Sequence, residues 1–186
     1  MSVTFEKKTK PYPHWEYSNP EFDSLIRIVP ERGGLITEWS CNQHEILYFD
    51  LERFNQNNQS IRGGIPLLFP ICGDLLDDVV TIKGQQYRIK QHGFARDIPW
   101  NISMTEEQNG FRLRVIDNET TRVQYPYPFM LTIDTIVAKN TLNINISITN
   151  TGTELMPYCF GLHPYFIITN FNSIIIQGVS ELCTNH

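Results

Sequence analysis

Apolar and polar residues alternate with period two along much of the chain. Leu142, Ile144, Ile146 and Ile148 alternate with Asn143, Asn145, Ser147 and Thr149, which gives an extended segment one apolar and one polar face. Phe111, Leu113 and Val115 alternate with Arg112 and Arg114 in the same way, and Leu131, Ile133 and Val137 mark a third such face. Asn109-Gly110 separates Ile102–Glu107 from Phe111–Ile116 and is a strong short-range hairpin signal, because both residues tolerate positive φ. Ala138-Lys139-Asn140 predicts a second hairpin turn. Shorter runs at Leu25–Val29, Leu35–Trp39, Ile46–Phe49, Val79–Ile82, Tyr87–Lys90 and Ser173–Val179 predict further strands. No stretch of ten or more positions carries a 3.6-residue period. Eleven prolines and eleven glycines fall mostly between the strand candidates, as turn punctuation. The polar run Asn55-Gln56-Asn57-Asn58-Gln59-Ser60 reads as an exposed loop, and there is no internal repeat. The pattern predicts one all-β domain over residues 1–186, a large antiparallel sandwich with long loops.

Composition narrows the function classes. With 186 residues, 41% of them hydrophobic and 19% charged, the chain can build a sizeable core and is not of disordered type. Fifteen basic against twenty acidic residues give a net charge of -5, so the basic stripe of a nucleic-acid binder is not expected. No apolar run approaches the roughly 20 residues that span a bilayer, and Met1–Lys8 has no apolar core of a secretory signal. The four cysteines, Cys41, Cys72, Cys159 and Cys183, form no Cys-x-x-Cys pair. They are expected to be reduced core thiols of a cytoplasmic protein.

Three segments concentrate polar chemistry. Arg62-Gly63-Gly64-Ile65-Pro66-Leu67-Leu68-Phe69-Pro70 pairs glycines that let backbone approach a ligand with an Arg suited to an oxyanion or sugar hydroxyls. Without a ligand it reads as a tight turn beside a solvent-facing Arg. Gln91–Trp100 puts His92, Arg96, Phe94 and Trp100 within nine residues, as a polar-ligand pocket with aromatic faces for C–H surfaces would need. Phe160-Gly161-Leu162-His163-Pro164-Tyr165-Phe166 sets an imidazole among aromatics before a proline. That imidazole is either a satisfied core histidine or a general acid or base. Other chemistries find less. There is no His-x-His pair for a metal, no Gly-x-Ser-x-Gly elbow, no phosphate-cradling Gly-rich loop, and no EF-hand spacing around Asp74, Asp77 and Asp78. His14, His44 and His186 sit in a Pro-flanked segment, a turn and the last position. No metal or cofactor is expected.

At Arg62-Gly63-Gly64-Ile65-Pro66, His92-Gly93-Phe94-Ala95-Arg96 and Leu162-His163-Pro164-Tyr165-Phe166 the sequence resembles the aldose 1-epimerase, or galactose-mutarotase-like, family. The branch it resembles most acts on hexose 6-phosphates. Leu25–Trp39 followed by Glu45-Ile46-Leu47-Tyr48 also resembles the family's opening, and the likeness runs from about Phe22 to about Val179. It implies the family's twisted β-supersandwich and an activity that interconverts sugar anomers by acid/base ring opening. It makes His163 the acid at the ring oxygen and sets His92 beside it. Arg62 and Arg96 would hold hydroxyls or a phosphate, and Asp74, Phe94 and Tyr165 complete the expected substrate-binding set.

The family's later strands supply a general-base Glu that no residue here matches, so the chain resembles the N-terminal two-thirds of a family domain. Impaired turnover is therefore expected unless Asp74 or Asp78 substitutes. The alternative is a carbohydrate-binding protein without turnover. The expected partners are a hexose or hexose 6-phosphate and a second copy of the chain covering an exposed sheet edge.

Overall fold

The alternating segments form two antiparallel sheets packed face to face in a computed structural model that describes residues 2–56 and 59–178. The first sheet holds, in order, β1 (Thr4–Lys8), β2 (His14–Asn19), β3 (Ser24–Val29), β4 (Leu35–Cys41) and β5 (His44–Glu45). Between the large sheets the chain makes the two-residue β6 (Leu67–Leu68) and the hairpin of β7 (Val79–Ile82) with β8 (Gln85–Arg88). The second sheet contains β9 (Asn101–Met104), β10 (Gly110–Ile116), β11 (Phe129–Ala138) and β12 (Thr141–Asn150), with β10 and β11 central. A last short strand, β13 (Gly161–Leu162), pairs with β6.

Period two does the building. Phe111, Leu113 and Val115 of β10 and Phe129, Leu131, Ile133 and Val137 of β11 are all buried on one face. They meet Tyr17, Ile26, Ile28 and Ile36 of the first sheet, with the Tyr17 and Phe111 rings 6.5 Å apart. Each fully buried side chain of this size contributes about 1.5–3 kcal/mol relative to exposure, so this shared layer dominates the stability. The apolar face of β12 (Leu142, Ile144, Ile146, Ile148) is only half-buried, because β12 ends its sheet.

Several expectations need correction. The first hairpin turns over residues 105–109 rather than at Asn109-Gly110. The Thr105 hydroxyl donates to Asn109 Oδ1 at 2.9 Å, and Gly110 already belongs to β10. The Ala138-Lys139-Asn140 hairpin turn, by contrast, forms where expected, as a two-residue loop with Asn140 at φ 57°. Ile46–Phe49 makes isolated pairings with Phe166 and Gly63 rather than a continuous strand. Residues 174–178 follow a 3-10 turn at Phe171–Ser173 without strand pairing, and Val179, like Cys183 and His186, lies outside the described residues. Strands β1 and β2 were not foreseen, nor were helices α1 (Leu51–Phe54) and α2 (Glu119–Gln124), both too short to show a period. Of the thiols expected in the core only Cys41 is buried; Cys72 and Cys159 are exposed. Among the described residues no helix is long and apolar enough to cross a membrane.

Candidate functional site

The segment from Arg62 to Pro70 forms a spine to which every other polar segment is stitched by main-chain hydrogen bonds. Asp50 N–H donates to Arg62 O at 2.9 Å, Gly64 N–H to Tyr48 O at 2.8 Å, and Ile65 N–H to Ile36 O at 2.9 Å. On the other side His163 N–H donates to Pro66 O at 3.0 Å and Tyr165 N–H to Gly64 O at 2.9 Å, extending the β6–β13 ladder. The amides of Phe94 and Ala95 both donate to Phe69 O, at 3.0 and 3.2 Å. The paired glycines make this convergence sterically feasible. A Cβ on Gly63 would lie 2.5 Å from Phe49 Cα, and one on Gly64 would lie 2.3 Å from Ile36 O. Their smallness therefore serves backbone meeting backbone, not backbone meeting ligand.

Three segments distant in sequence thereby face one hollow of about 200 Å³, lined by Arg62, Gln91, His92, Arg96, His163 and Tyr165 among others. The His92 and His163 rings stand 6.5 Å apart, and His163 lies 4.8 Å from the Tyr165 ring at a shallow 32° tilt. His92 Nδ1 accepts a hydrogen bond from Gly73 N–H at 3.0 Å. That leaves Nε2 as the ring nitrogen that carries the proton in the neutral form. Burial holds the His92 pKa below the usual imidazole value, helped by the Arg96 charge and by His163, with Asp74 opposing. His92 is thus a neutral donor at neutral pH. Arg96 is steadied by donating to Gln91 O at 2.9 Å, and its only carboxylate neighbour within ion-pair range among the described residues is Asp97, at 3.9 Å.

Not every expected residue joins the hollow. The Phe94 ring is buried against Phe69, Tyr125 and Phe129, and Trp100 is buried with its indole N–H on Ala95 O, so neither aromatic offers a face to a ligand there. Tyr165 is the aromatic wall instead. Asp74 is exposed and stands one hydrogen bond behind the lining, its Oδ2 accepting from Gln91 Nε2 at 3.1 Å. Asp78 lines a different hollow, with Arg88 and Lys90. Sequence reasoning missed Gly73, which orients His92, and Ser60 and Ile61, which close one end of the hollow. None of the three belongs to a motif. Among the described residues no group of three or more His, Cys, Asp or Glu side chains is placed to hold a metal.

The fold and the stitched motifs have known counterparts. The aldose 1-epimerase family model matches residues 24–186. Protein LacX of Lactococcus lactis is 31% identical over 172 residues, a match covering 88% of this chain and 50% of that protein. A putative glucose-6-phosphate 1-epimerase of Escherichia coli is 25% identical over 154 residues, covering 81% of this chain and 48% of its own length. The chain thus spans about half the length of the curated relatives it matches. Among solved structures, the Slr1438 protein of Synechocystis superposes with a TM-score of 0.78 at 39% identity, over 89% of this chain and 57% of that one. The galactose mutarotase related enzyme of Lactobacillus acidophilus gives 0.71 at 26% identity, over 87% and 51%. The family match over most of the chain and these relatives establish that the chain belongs to the aldose 1-epimerase family.

Proposed function

We propose that the hollow binds a hexose, with preference for its 6-phosphate, and takes part in interconverting the α and β anomers. The observation that carries this reading is the pair of imidazoles lining one hollow, ring centres 6.5 Å apart at a 59° tilt, with Arg62 and Arg96 beside them. A sugar ring oxygen fits between two such rings at hydrogen-bond distance from each. Opening the hemiacetal needs a proton delivered to that ring oxygen while the anomeric hydroxyl gives one up, and since no carboxylate of the described residues lines the hollow, that second proton passes to solvent water. His163, exposed to the hollow and fixed through its backbone to Pro66, is the acid. His92, neutral and donating through Nε2–H, holds the oxygen side without competing for the transferred proton. Tyr165 packs beside the acid, and the two guanidiniums hold hydroxyls or the phosphate, their planar forks matching that anion. Asp74, behind Gln91, acts on this site through the charge of His92 rather than on the sugar. The free thiols at Cys41, Cys72 and Cys159 agree with a reducing, cytoplasmic setting.

Relaxation of a pure glucose 6-phosphate anomer, followed by NMR beside a binding titration, tests the reading. Acceleration that falls about 100- to 10,000-fold in His163→Ala, the loss typical of a positioned acid, is the expected result. Tight binding with no acceleration in the unaltered chain would instead make the hollow a carbohydrate-binding site without turnover.

A further inference from the structure

Cys72 and Cys159 are distant in sequence and take no part in the chemistry assigned to the hollow, yet the ladder of β6 with β13 brings them together. Gly161 pairs with Leu68 and Leu162 with Leu67. The same register continues past both ends, where His163 N–H donates to Pro66 O at 3.0 Å and Cys159 N–H to Pro70 O at 2.7 Å. Side chains two residues apart along such a ladder share a face. One face therefore carries Cys159, Gly161 and His163 from one segment and Pro66, Leu68 and Pro70 from the other. Pro66, Leu68 and His163 of that face line the hollow.

Cys72 reaches over the middle of that face. A Cβ on Gly161 would lie 3.0 Å from Cys72 Sγ, so the bare Gly161 leaves the room that the sulfur occupies. From position 161, Cys159 is one two-residue step away in one direction and His163 one step in the other, about 6–7 Å each. Both thiols are exposed, whereas Cys41 is buried and donates to Asn140 Oδ1 at 3.3 Å. The two exposed sulfurs sense each other: partial burial, and after it the Cys159 charge, raise the Cys72 pKa. Cys72 is also joined directly to Gly73, whose N–H holds His92 Nδ1 at 3.0 Å and whose carbonyl accepts from His92 N–H at 2.9 Å.

We propose that Cys72 and Cys159 are a redox-active dithiol, which a small-molecule disulfide closes into an intramolecular disulfide that draws Gly73 away from His92. The pairing stands apart from the sugar reading, and only its effect on turnover rests on that reading. Cys72, with its raised pKa, is the weaker first nucleophile, so the reaction starts at Cys159. The Cys159 thiolate attacks the small disulfide, which leaves a mixed disulfide on Cys159 and releases one small thiol. Capping removes the Cys159 charge that opposed ionisation of Cys72. Cys72 then gives up its proton and attacks the Cys159 sulfur, forming the new S–S bond and releasing the second small thiol. Two electrons pass from the protein to the small disulfide, and both thiol protons end on the released thiols. A disulfide holds its Cα atoms about 4.4–6.8 Å apart, closer than the roughly 7–8 Å of a two-residue offset across a ladder. Closure therefore pulls the bend at Cys72-Gly73 toward Cys159. Nothing crowds Gly73, where a Cβ would meet no atom within 4 Å, so the bend is free to follow.

The test equilibrates the folded full chain with mixtures of reduced and oxidised glutathione, blocks the remaining thiols with N-ethylmaleimide, and reads intact mass and linked peptides. The chain should lose two alkylatable thiols together, with Cys72 linked to Cys159, and dithiothreitol should restore both. Cys72→Ser should stop at a glutathione mixed disulfide on Cys159. Cys159→Ser should give no linked peptide and slower capping at Cys72. Oxidation should also shift the His92 imidazole NMR signals, and reduction should return them. Separate capping of the two cysteines at every glutathione ratio, or a linked peptide joining either one to another cysteine, would overturn the dithiol. A Cys72–Cys159 link that leaves the His92 signals unmoved would overturn its hold on the site. Neither readout uses a sugar, so failure here is distinct from failure of the anomer-relaxation experiment.

Discussion

His92 adopts φ 66°, a left-handed backbone that few non-glycine residues take, and that conformation turns Nδ1 toward Gly73 N–H. The hydrogen bond and the neighbouring positive charges act in the same direction on its proton. Burial is the largest cause of the lowered pKa, and Arg96 the next. Removing a positive charge favours the protonated imidazole, so Arg96→Ala should raise the His92 titration midpoint toward the ordinary value. Asp74→Asn should lower it further, because Asp74 opposes the shift. A proton NMR titration of the imidazole signals reads both directions. Midpoints that fail to move in opposite senses would show that His92 does not sense these two groups. The sequence displays His92 and Arg96 as neighbours, but the sign of their coupling needs the fold, since Gly73 and Asp74 lie far back along the chain.

Phe69 is the point where elements meet. It is fully buried, its ring 5.0 Å from Phe129, 5.8 Å from Tyr125 and 6.1 Å from both Phe94 and Tyr158. Its carbonyl receives the two amides that fix the second motif. Phe69→Ala should cost about 3–5 kcal/mol, from lost burial plus the cavity left behind. Ile116→Ala, on the solvent side of β10 at 55% exposure, should stay within about 0.5 kcal/mol. Urea unfolding of both variants checks the contrast, and similar midpoints would contradict the spine as the organising element. Legibility follows the same division. Strands β10, β11 and β12 were readable because one face is covered more than the other over seven to ten residues, which prints a clean alternation. Strand β1, with the sequence Thr4-Phe5-Glu6-Lys7-Lys8, lies at a sheet edge and buries little, so it carries no such print. Residues 46–49 and 163–167 are held by main-chain bonds to the spine, to β4 and to each other, and hydrogen bonding of that kind places no demand on side-chain pattern. The three motifs stood out in sequence. Phe94 was assigned to the sugar because a pocket aromatic and a core aromatic have the same residue type, and only packing distinguishes them.

At the scale of the molecule, apolar surface is unevenly covered. Phe171, Ile175 and Ile176 are about four-fifths exposed, at 80%, 79% and 78%, and Phe166 and Ile167 are half exposed. The apolar face of β12 is half-covered as well. Exposed apolar side chains gathered in one stretch of sequence favour association in water. Covering three such side chains from each of two copies releases on the order of 12 kcal/mol gross, at about 2 kcal/mol each. Association itself costs about 4–15 kcal/mol in lost freedom and ordering. The difference leaves a weak contact, so the 186-residue chain should be monomeric when dilute and self-associate as concentration rises into the tens or hundreds of micromolar. Sedimentation velocity over that range tests this, with the double variant Ile175→Ser, Ile176→Ser as its partner. Those two side chains contact little in the fold, so the variant should keep the thermal midpoint and lose the association. A chain that stays monomeric throughout, or a variant that associates as strongly as the parent, would show that the exposed isoleucines are not what drives contact between copies.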